Sequence, residues 1–274
     1  MSIVIPAYNN AEYIAETVRS VLDQTYTNLE VVISDHSSQD STREILSQFE
    51  SDPRVRVLTT PAGGGAVANW NRVTELATGE YIKLVCGDDI LYASCVEQQV
   101  AAFEPGVVMI AARRDIVDAD GRLIMKNRGL PRLIGRFTGR AALRRTVRQG
   151  TNVFGEPASV MFRRESLAAV GNWDAVEHFL LDEATYASVL VGGDVVGLAD
   201  SLGAFRVSGT QWSVQLASSQ AEEAIGFHGR LAAAHPGLLS RFDLFVGNTR
   251  ARLSALGRRV VYMWLAGRMA KERE

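Results

Sequence analysis

Three features of the sequence predict an α/β fold, with a mostly parallel central sheet, helices on both of its faces and a C-terminal helical segment. Short β-branched runs alternate with amphipathic helical stretches over residues 2–85. The 274 residues are 47% hydrophobic and 22% charged, enough for a buried core that needs no disulfide or metal staple. Beyond residue 222 the periodic patterns are helical.

The elements follow in order. Residues 2–6 are apolar, β-branched and ended by Pro6, which reads as a strand. Ile14, Val18, Val21 and Leu22 give the next stretch one apolar face, with Asn9 or Asn10 as the expected helix cap. Residues 29–34 form a second strand. Ser41-Thr42-Arg43-Glu44 spells a capping box that opens a second helix. Residues 55–58 are a third strand, Ala62-Gly63-Gly64-Gly65 a flexible loop, 66–77 a helix and 81–85 a fourth strand. After about residue 112 the pattern loosens. Asp118-Ala119-Asp120-Gly121 reads as a hairpin turn, and the Arg-rich stretch 126–150 as loop or short helix. Residues 159–162 and 195–198 are strand candidates; 182–190, 222–234 and 253–268 are helix candidates. The expected organisation is one domain over 1–215, with halves 1–112 and 113–215, and a helical extension over 216–274.

Charge is unevenly spread. Residues 1–112 hold 6 Lys/Arg against 15 Asp/Glu, residues 113–164 hold 13 against 4, and residues 241–274 hold 8 against 3. Such blocks suit different partners, or simply solvated surface. With a net charge of −2 and no recognition motif, nucleic acid is not an expected partner. The only cysteines, Cys86 and Cys95, make no disulfide framework and read as small buried hydrophobes in a reducing compartment. Met1-Ser2 leads straight into apolar residues with no basic leader, and the apolar run at 260–267 is too short to cross a bilayer.

In a parallel sheet, ligands sit outside the carboxyl ends of the strands. That rule selects Ala7-Tyr8-Asn9, the stretch Asp35 to Asp40, and Cys86 to Asp89, which converge on one crevice. Asp88-Asp89 is a hard-oxygen pair suited to Mg²⁺ or Mn²⁺ on a phosphate; the plain alternative is a turn. Asp35 can accept a nucleobase N–H or bond a ribose, whereas Asp40 reads as a helix cap. Gly63-Gly64-Gly65 can approach a phosphate or simply be mobile. No dinucleotide fingerprint or P-loop occurs, and the histidines lack zinc spacing. Asp182-Glu183 begins a helix, either as favourable helix-end charge or as a general base; His178 lies nearby.

These motifs resemble family 2 glycosyltransferases. The opening Ser2-Ile3-Val4-Ile5-Pro6-Ala7-Tyr8-Asn9, the stretch Ser20 to Tyr26, the segment Asp35 to Thr42, and Asn71 with Ala77 and Gly79-Glu80-Tyr81-Ile82 match that family's first half. Asp88-Asp89 falls at its metal-binding carboxylate motif. Gly171-Asn172-Trp173-Asp174, Asp182, and Phe205-Arg206 followed by Ser213 resemble its second half. The resemblance implies a GT-A (Rossmann-like) fold and an inverting, non-processive transfer of one sugar from a nucleotide-diphosphate sugar, UDP-linked by preference. It implies that Pro6, Ala7, Tyr8, Asn9, Asp35, Asn71 and Asp88 hold the nucleotide-sugar, and that Asp89 holds Mn²⁺ or Mg²⁺. Asp182 would be the general base, with Glu183 in reserve. His36, Asn10, Leu181 and Ser208 depart from the family pattern. No Gln-x-x-Arg-Trp occurs, as expected for single-sugar addition.

With that resemblance, the basic segments suggest a glycan or lipid-linked glycan acceptor in cell-surface polysaccharide assembly. The chain is then expected in the cytoplasm or peripherally at the inner membrane face. Leu253, Leu256, Val260 and Trp264 form an apolar stripe beside Arg252, Arg258, Arg259 and Arg268, suited to a bilayer, to the core or to a second subunit of a homo-oligomer. The competing readings are a non-catalytic sugar-nucleotide-binding or scaffolding relic, and a sugar-nucleotide nucleotidyltransferase. The latter would carry a Gly-rich basic loop after strand one, which Ala7-Tyr8-Asn9-Asn10 lacks.

Overall fold

The computed structural model describes residues 1–173, 176, 180–207 and 220–255. Its core is one mixed sheet. The strands are β1 (Ser2–Ala7), β2 (Glu30–Asp35), β3 (Val55–Thr59), β4 (Tyr81–Leu84), β5 (Ile90–Leu91), β6 (Val107–Val117), β7 (Leu123–Arg128), β8 (Gly135–Phe137), β9 (Val160–Arg163) and β10 (Asp194–Arg206). The order is β3-β2-β1-β4-β9-β6-β10-β5, with β7 on β6 and β8 on β10. β3, β2, β1 and β4 run parallel, and β9 runs antiparallel to both its neighbours.

Strand β1 shows why the sheet needs helices on both faces. All six of its residues are buried. Val4 enters one apolar cluster with Val32, Val73 and Leu84, while Ile3, Ile5 and Ala7 enter the other with Ile14, Val18 and Val96. The period of two thus splits the strand between two cores. α1 (Ile14–Leu22), α2 (Thr42–Ser47) and α4 (Cys95–Ala101) supply buried residues to the second cluster. α3 (Gly65–Glu75), α5 (Gly139–Gln149), α6 (Arg164–Ala169) and α7 (Leu181–Val191) supply the first. α8 (Gln220–Ala234) and a helix over residues 241–255 join that same first cluster through Ala224, Phe227, Leu231 and Ala251.

Several local expectations are corrected. Neither Asn9 nor Asn10 caps α1, whose boundary residue is Tyr13. Asn10 instead turns its side chain back to accept the Tyr8 N–H at 2.9 Å. The Ser41 hydroxyl makes no cap bond; Asp40 does that work, accepting the Thr42 N–H at 3.0 Å and the Ala11 N–H at 3.1 Å. Residues 126–150 are more ordered than loop or short helix: they hold the end of β7, all of β8 and the eleven-residue α5. The Asp118–Gly121 turn joins β6 to β7, with the Asp118 N–H donating to the Arg122 carbonyl at 2.9 Å. Among the described residues no helix is long and apolar enough to cross a membrane. His178, Asp174, Ser208, Ser213 and the stripe beyond residue 255 lie outside the described residues.

Candidate active site

Register brings the three selected loops together. Ala7 lies opposite Asp35 across β1 and β2, and Val4 opposite Leu84 across β1 and β4. The chain leaving each strand therefore emerges at one edge of the sheet.

The β1 and β2 loops are stitched to each other. His36 N–H donates to the Ala7 carbonyl at 2.9 Å, Asn9 N–H to the Ser38 hydroxyl at 3.0 Å, and Gln39 N–H to the Asn9 amide oxygen at 2.8 Å. Asn9 adopts a left-handed φ of 51°, which Asn tolerates. Asp35 is buried and accepts the Ser38 hydroxyl. Pro6 and Ala7 are buried beneath, and Tyr8 stands 52% exposed at the mouth, edge-on to the His36 ring at 6.2 Å. That leaves an aromatic face open to a ligand beside a buried carboxylate.

Gly87 is what lets the third loop approach. A Cβ built there would come 2.6 Å from the Asn10 amide oxygen. Beyond Gly87, Asp88 is half-buried and Asp89 fully buried. Both Asp89 carboxylate oxygens lack a hydrogen-bond partner. Burial, then the charges of Asp88 and Glu156, pushes the Asp89 carboxyl well above the usual carboxylate range. The Arg206 main chain and the charge of Arg114 oppose that rise only in part, so a buried carboxylate whose oxygens make no well-formed hydrogen bond would gain from a cation. The donor set suits a hard divalent ion. No preformed cluster of three ligands occurs among the described residues, so substrate oxygens would have to complete the shell.

Asp182 faces the same cluster from the first turn of α7. Its carboxylate accepts the Glu183 N–H at 2.7 Å and the Asn152 amide at 2.8 Å. Burial raises it to about 7, with Glu156 adding to the rise and the two hydrogen bonds opposing it. Glu183, the reserve base, is buried, and its main chain serves Asp182. Cys86 feels Asp89, Asp88, Asp182 and Glu156, and burial together with these charges pushes its thiol well up, so it is no nucleophile.

The sequence assigned no site role to the residues that organise this cluster, although Arg206 stood in a family-like segment. Arg114 on β6 pairs with Glu156, its Nη2 donating at 2.9 Å. Gly155, at φ +96°, leaves room for that guanidinium, since a Cβ would sit 2.9 Å from Arg114 Nη1. Arg206, buried at the end of β10, donates from Nε to the Asp88 carbonyl at 3.1 Å and from Nη2 to Glu16 at 2.6 Å. It also stacks 4.6 Å from the Tyr13 ring. The Tyr186 hydroxyl is buried near Asp182 and Glu156, whose charges add to the effect of burial in raising its pKa. Both ends of the Asn71 amide bond the Trp173 main chain, at 2.9 and 3.1 Å. The neighbouring Asn69 reaches the strand ends instead, donating to the Ala7 and Ser34 carbonyls at 3.3 Å.

The family model for glycosyl transferase family 2 matches residues 2–171, a span that contains the crevice formed by the loops after β1, β2 and β4 and stops short of Asp182. The chain belongs to glycosyl transferase family 2. Within that family it is 37% identical over 101 residues to an Escherichia coli UDP-Glc:α-D-GlcNAc-diphosphoundecaprenol β-1,3-glucosyltransferase, WfgD, covering 37% of this chain and 40% of WfgD. The chain spans about two fifths of the length of the first curated relatives it matches. Its fold is that of Staphylococcus aureus TarS, solved with UDP-GlcNAc, at a TM-score of 0.66 and 18% identity over 85% of this chain and 65% of that one. It is also that of the Pyrobaculum calidifontis mannosyltransferase PcManGT, solved with GDP-Man and Mn²⁺, at 0.64 and 16% over 98% and 79%. The family 2 chain therefore has the GT-A architecture, with the acidic cluster at the carboxyl edge of its sheet.

Proposed function

We propose that this family 2 chain transfers a single sugar from a nucleoside-diphosphate sugar to an acceptor hydroxyl, with inversion at the anomeric carbon. The observation that carries the reading is the meeting of two halves at one edge. A donor-side crevice built from Tyr8, Asp35 and Asp88-Asp89 faces Asp182, a carboxylate raised to about 7. A base of that strength is half ionised at neutral pH and matched to taking a proton from a hydroxyl as it attacks.

The roles follow from position. Tyr8 offers a ring face to the base, and Asp35 accepts a base N–H or ribose hydroxyl from beneath it. Asp88 orients the ribose or sugar. Asp89 and the donor's diphosphate would hold Mn²⁺ or Mg²⁺, which supplies charge stabilisation for a leaving diphosphate. Asn152 and the Glu183 N–H fix the direction in which Asp182 accepts the acceptor proton. Transfer breaks the bond from the anomeric carbon to the diphosphate oxygen and forms one to the acceptor oxygen, whose proton passes to Asp182.

UDP is the expected nucleotide, since the relatives with named donors include a UDP-Glc enzyme. The basic segments suit a lipid-linked glycan acceptor at the cytoplasmic membrane face, in cell-surface glycan assembly. Incubating the chain with UDP-sugars, Mn²⁺ and a lipid-diphosphate glycan tests the reading. Product formation abolished in both Asp89→Asn and Asp182→Asn supports it. Nucleotide binding with no transfer to any acceptor, unchanged in Asp182→Asn, would favour the scaffolding relic.

A further inference from the structure

The helix over residues 241–255 has two opposed faces. Asp243, Gly247, Ala251 and Ala255, four residues apart, are buried. They lay the helix backbone directly on α5. A Cβ on Gly247 would meet the Val147 carbonyl oxygen at 2.3 Å, and one on Gly150 would meet Ala251 N at 2.5 Å. Asp243 is pinned from α5 by Arg144 and Arg148. The far face carries Phe242, Phe245 and Leu253, which are 64%, 70% and 63% exposed. Large exposed aromatics in a stripe are unusual on a solvated helix.

The collar of this stripe is basic. Arg241, Arg250 and Arg252 are exposed on the same helix, and the guanidinium of Arg148 lies 5.8 Å over the Phe242 ring. The supporting α5 carries four arginines, and residues 121–155 contain no Asp or Glu at all. The one carboxylate of helix 241–255, Asp243, is buried and already paired.

We infer that this face docks on an anionic phospholipid bilayer. An acyl layer beneath a layer of phosphates meets both halves of the patch: rings and Leu253 below, arginines at the headgroups. A second copy of the chain fits poorly, because an isologous contact would set the arginine collar against itself. The inference deepens the reading of a lipid-linked acceptor by naming the surface that meets the membrane. Vesicle binding without donor or acceptor separates it from that reading.

The test is co-sedimentation of the full chain with phosphatidylcholine vesicles, with and without about 30% phosphatidylglycerol. The chain should bind the anionic vesicles, and binding should fall severalfold between about 0.1 and 0.5 M NaCl as the arginines are screened. Phe242→Ser/Phe245→Ser and Arg250→Glu/Arg252→Glu should each weaken partitioning by about tenfold or more. All these side chains are exposed, so an unchanged melting temperature shows that the fold is kept. Equal binding to neutral vesicles, no binding at all, or unaltered binding by both variants would overturn the inference. So would a dimer in sedimentation velocity that Phe242→Ser/Phe245→Ser dissolves, which would make this face a subunit interface. Loss of vesicle binding with sugar transfer to a soluble acceptor retained leaves the functional reading intact; the converse result would leave docking intact and overturn the function.

Discussion

Replacing Asp182 by Asn tests the proton-transfer step directly. The side chain keeps its size and loses the ability to take a proton. General-base assistance contributes about 10²–10⁴-fold, or roughly 3–5 kcal/mol of barrier. The wild-type pH profile carries a second signature. Burial in the acidic cluster holds the group at about 7, so its ionised fraction is one half there. The reactive form is the ionised one, so activity rises with pH. Between pH 6 and pH 8 the ionised fraction climbs from roughly one tenth to nine tenths, and kcat/KM should climb about tenfold before it levels off. Initial rates of sugar transfer over pH 5.5–8.5 measure this, with nucleotide affinity as the control for an intact donor crevice. A flat wild-type profile, or an Asp182→Asn variant within tenfold of wild type, would refute the assignment. If Glu183→Gln carried the loss instead, the reserve residue would be the base.

Three further outcomes follow from neighbouring contacts. Asn152→Ala removes a hydrogen bond that lowers the Asp182 pKa, so the rising limb of the rate profile should move to higher pH. It also frees the Phe154 and Gly155 N–H groups, which a small drop in melting temperature would report. Gly87→Ala drives a methyl group to 2.6 Å from the Asn10 amide oxygen and should weaken nucleotide binding measured by calorimetry. Asn10→Ala in the same chain should restore part of that loss, and no restoration would mean the clash lies elsewhere. Asp89→Asn removes a buried carboxyl whose pKa is raised in the fold. Such a group favours the fold most below its unfolded value near 3.8 and loses that contribution as pH rises through the folded one. The metal-free variant should therefore melt higher than wild type at pH 8 while losing metal-enhanced nucleotide binding, and a lower melting temperature would contradict this.

The meeting of the loops after β1, β2 and β4 was legible in the sequence because its signals are local. β-Branched runs mark β1, β2 and β4, and the polar residues after each run are those that the sheet carries to its edge. Local pattern failed where a neighbour in space won. Ser41 loses the cap to Asp40, which also ties down Ala11 from the β1 loop. Asn71 stands in a family motif, yet its amide bonds Trp173, 102 residues away. β6 carries Arg113, Arg114 and Asp115 within its eleven residues, which breaks the strand pattern; Arg114 is charged because it answers Glu156. Arg206 meets Glu16 across 190 residues of chain, a contact that no window of sequence can contain. The exposed face of helix 241–255 was anticipated only at Leu253, for a related reason. The sequence pattern suggested a helix only from Leu253, whereas the described helix starts at Arg241 and exposes Phe242 and Phe245 beside an aspartate that is buried and paired.

On the proposed function, the edge formed by Tyr8, Asp35 and Asp88-Asp89 should hold a nucleoside diphosphate together with a divalent cation. Thermal unfolding with UDP, GDP and ADP, each with and without Mn²⁺, tests it most directly. At about 100 times its dissociation constant the cognate nucleotide should stabilise the fold by about 2.7 kcal/mol. That shift should be selective for one base, require Mn²⁺ in full, and vanish in Asp89→Asn and Asp35→Ala. No shift with any nucleotide, or a shift indifferent to both substitutions, would contradict the account.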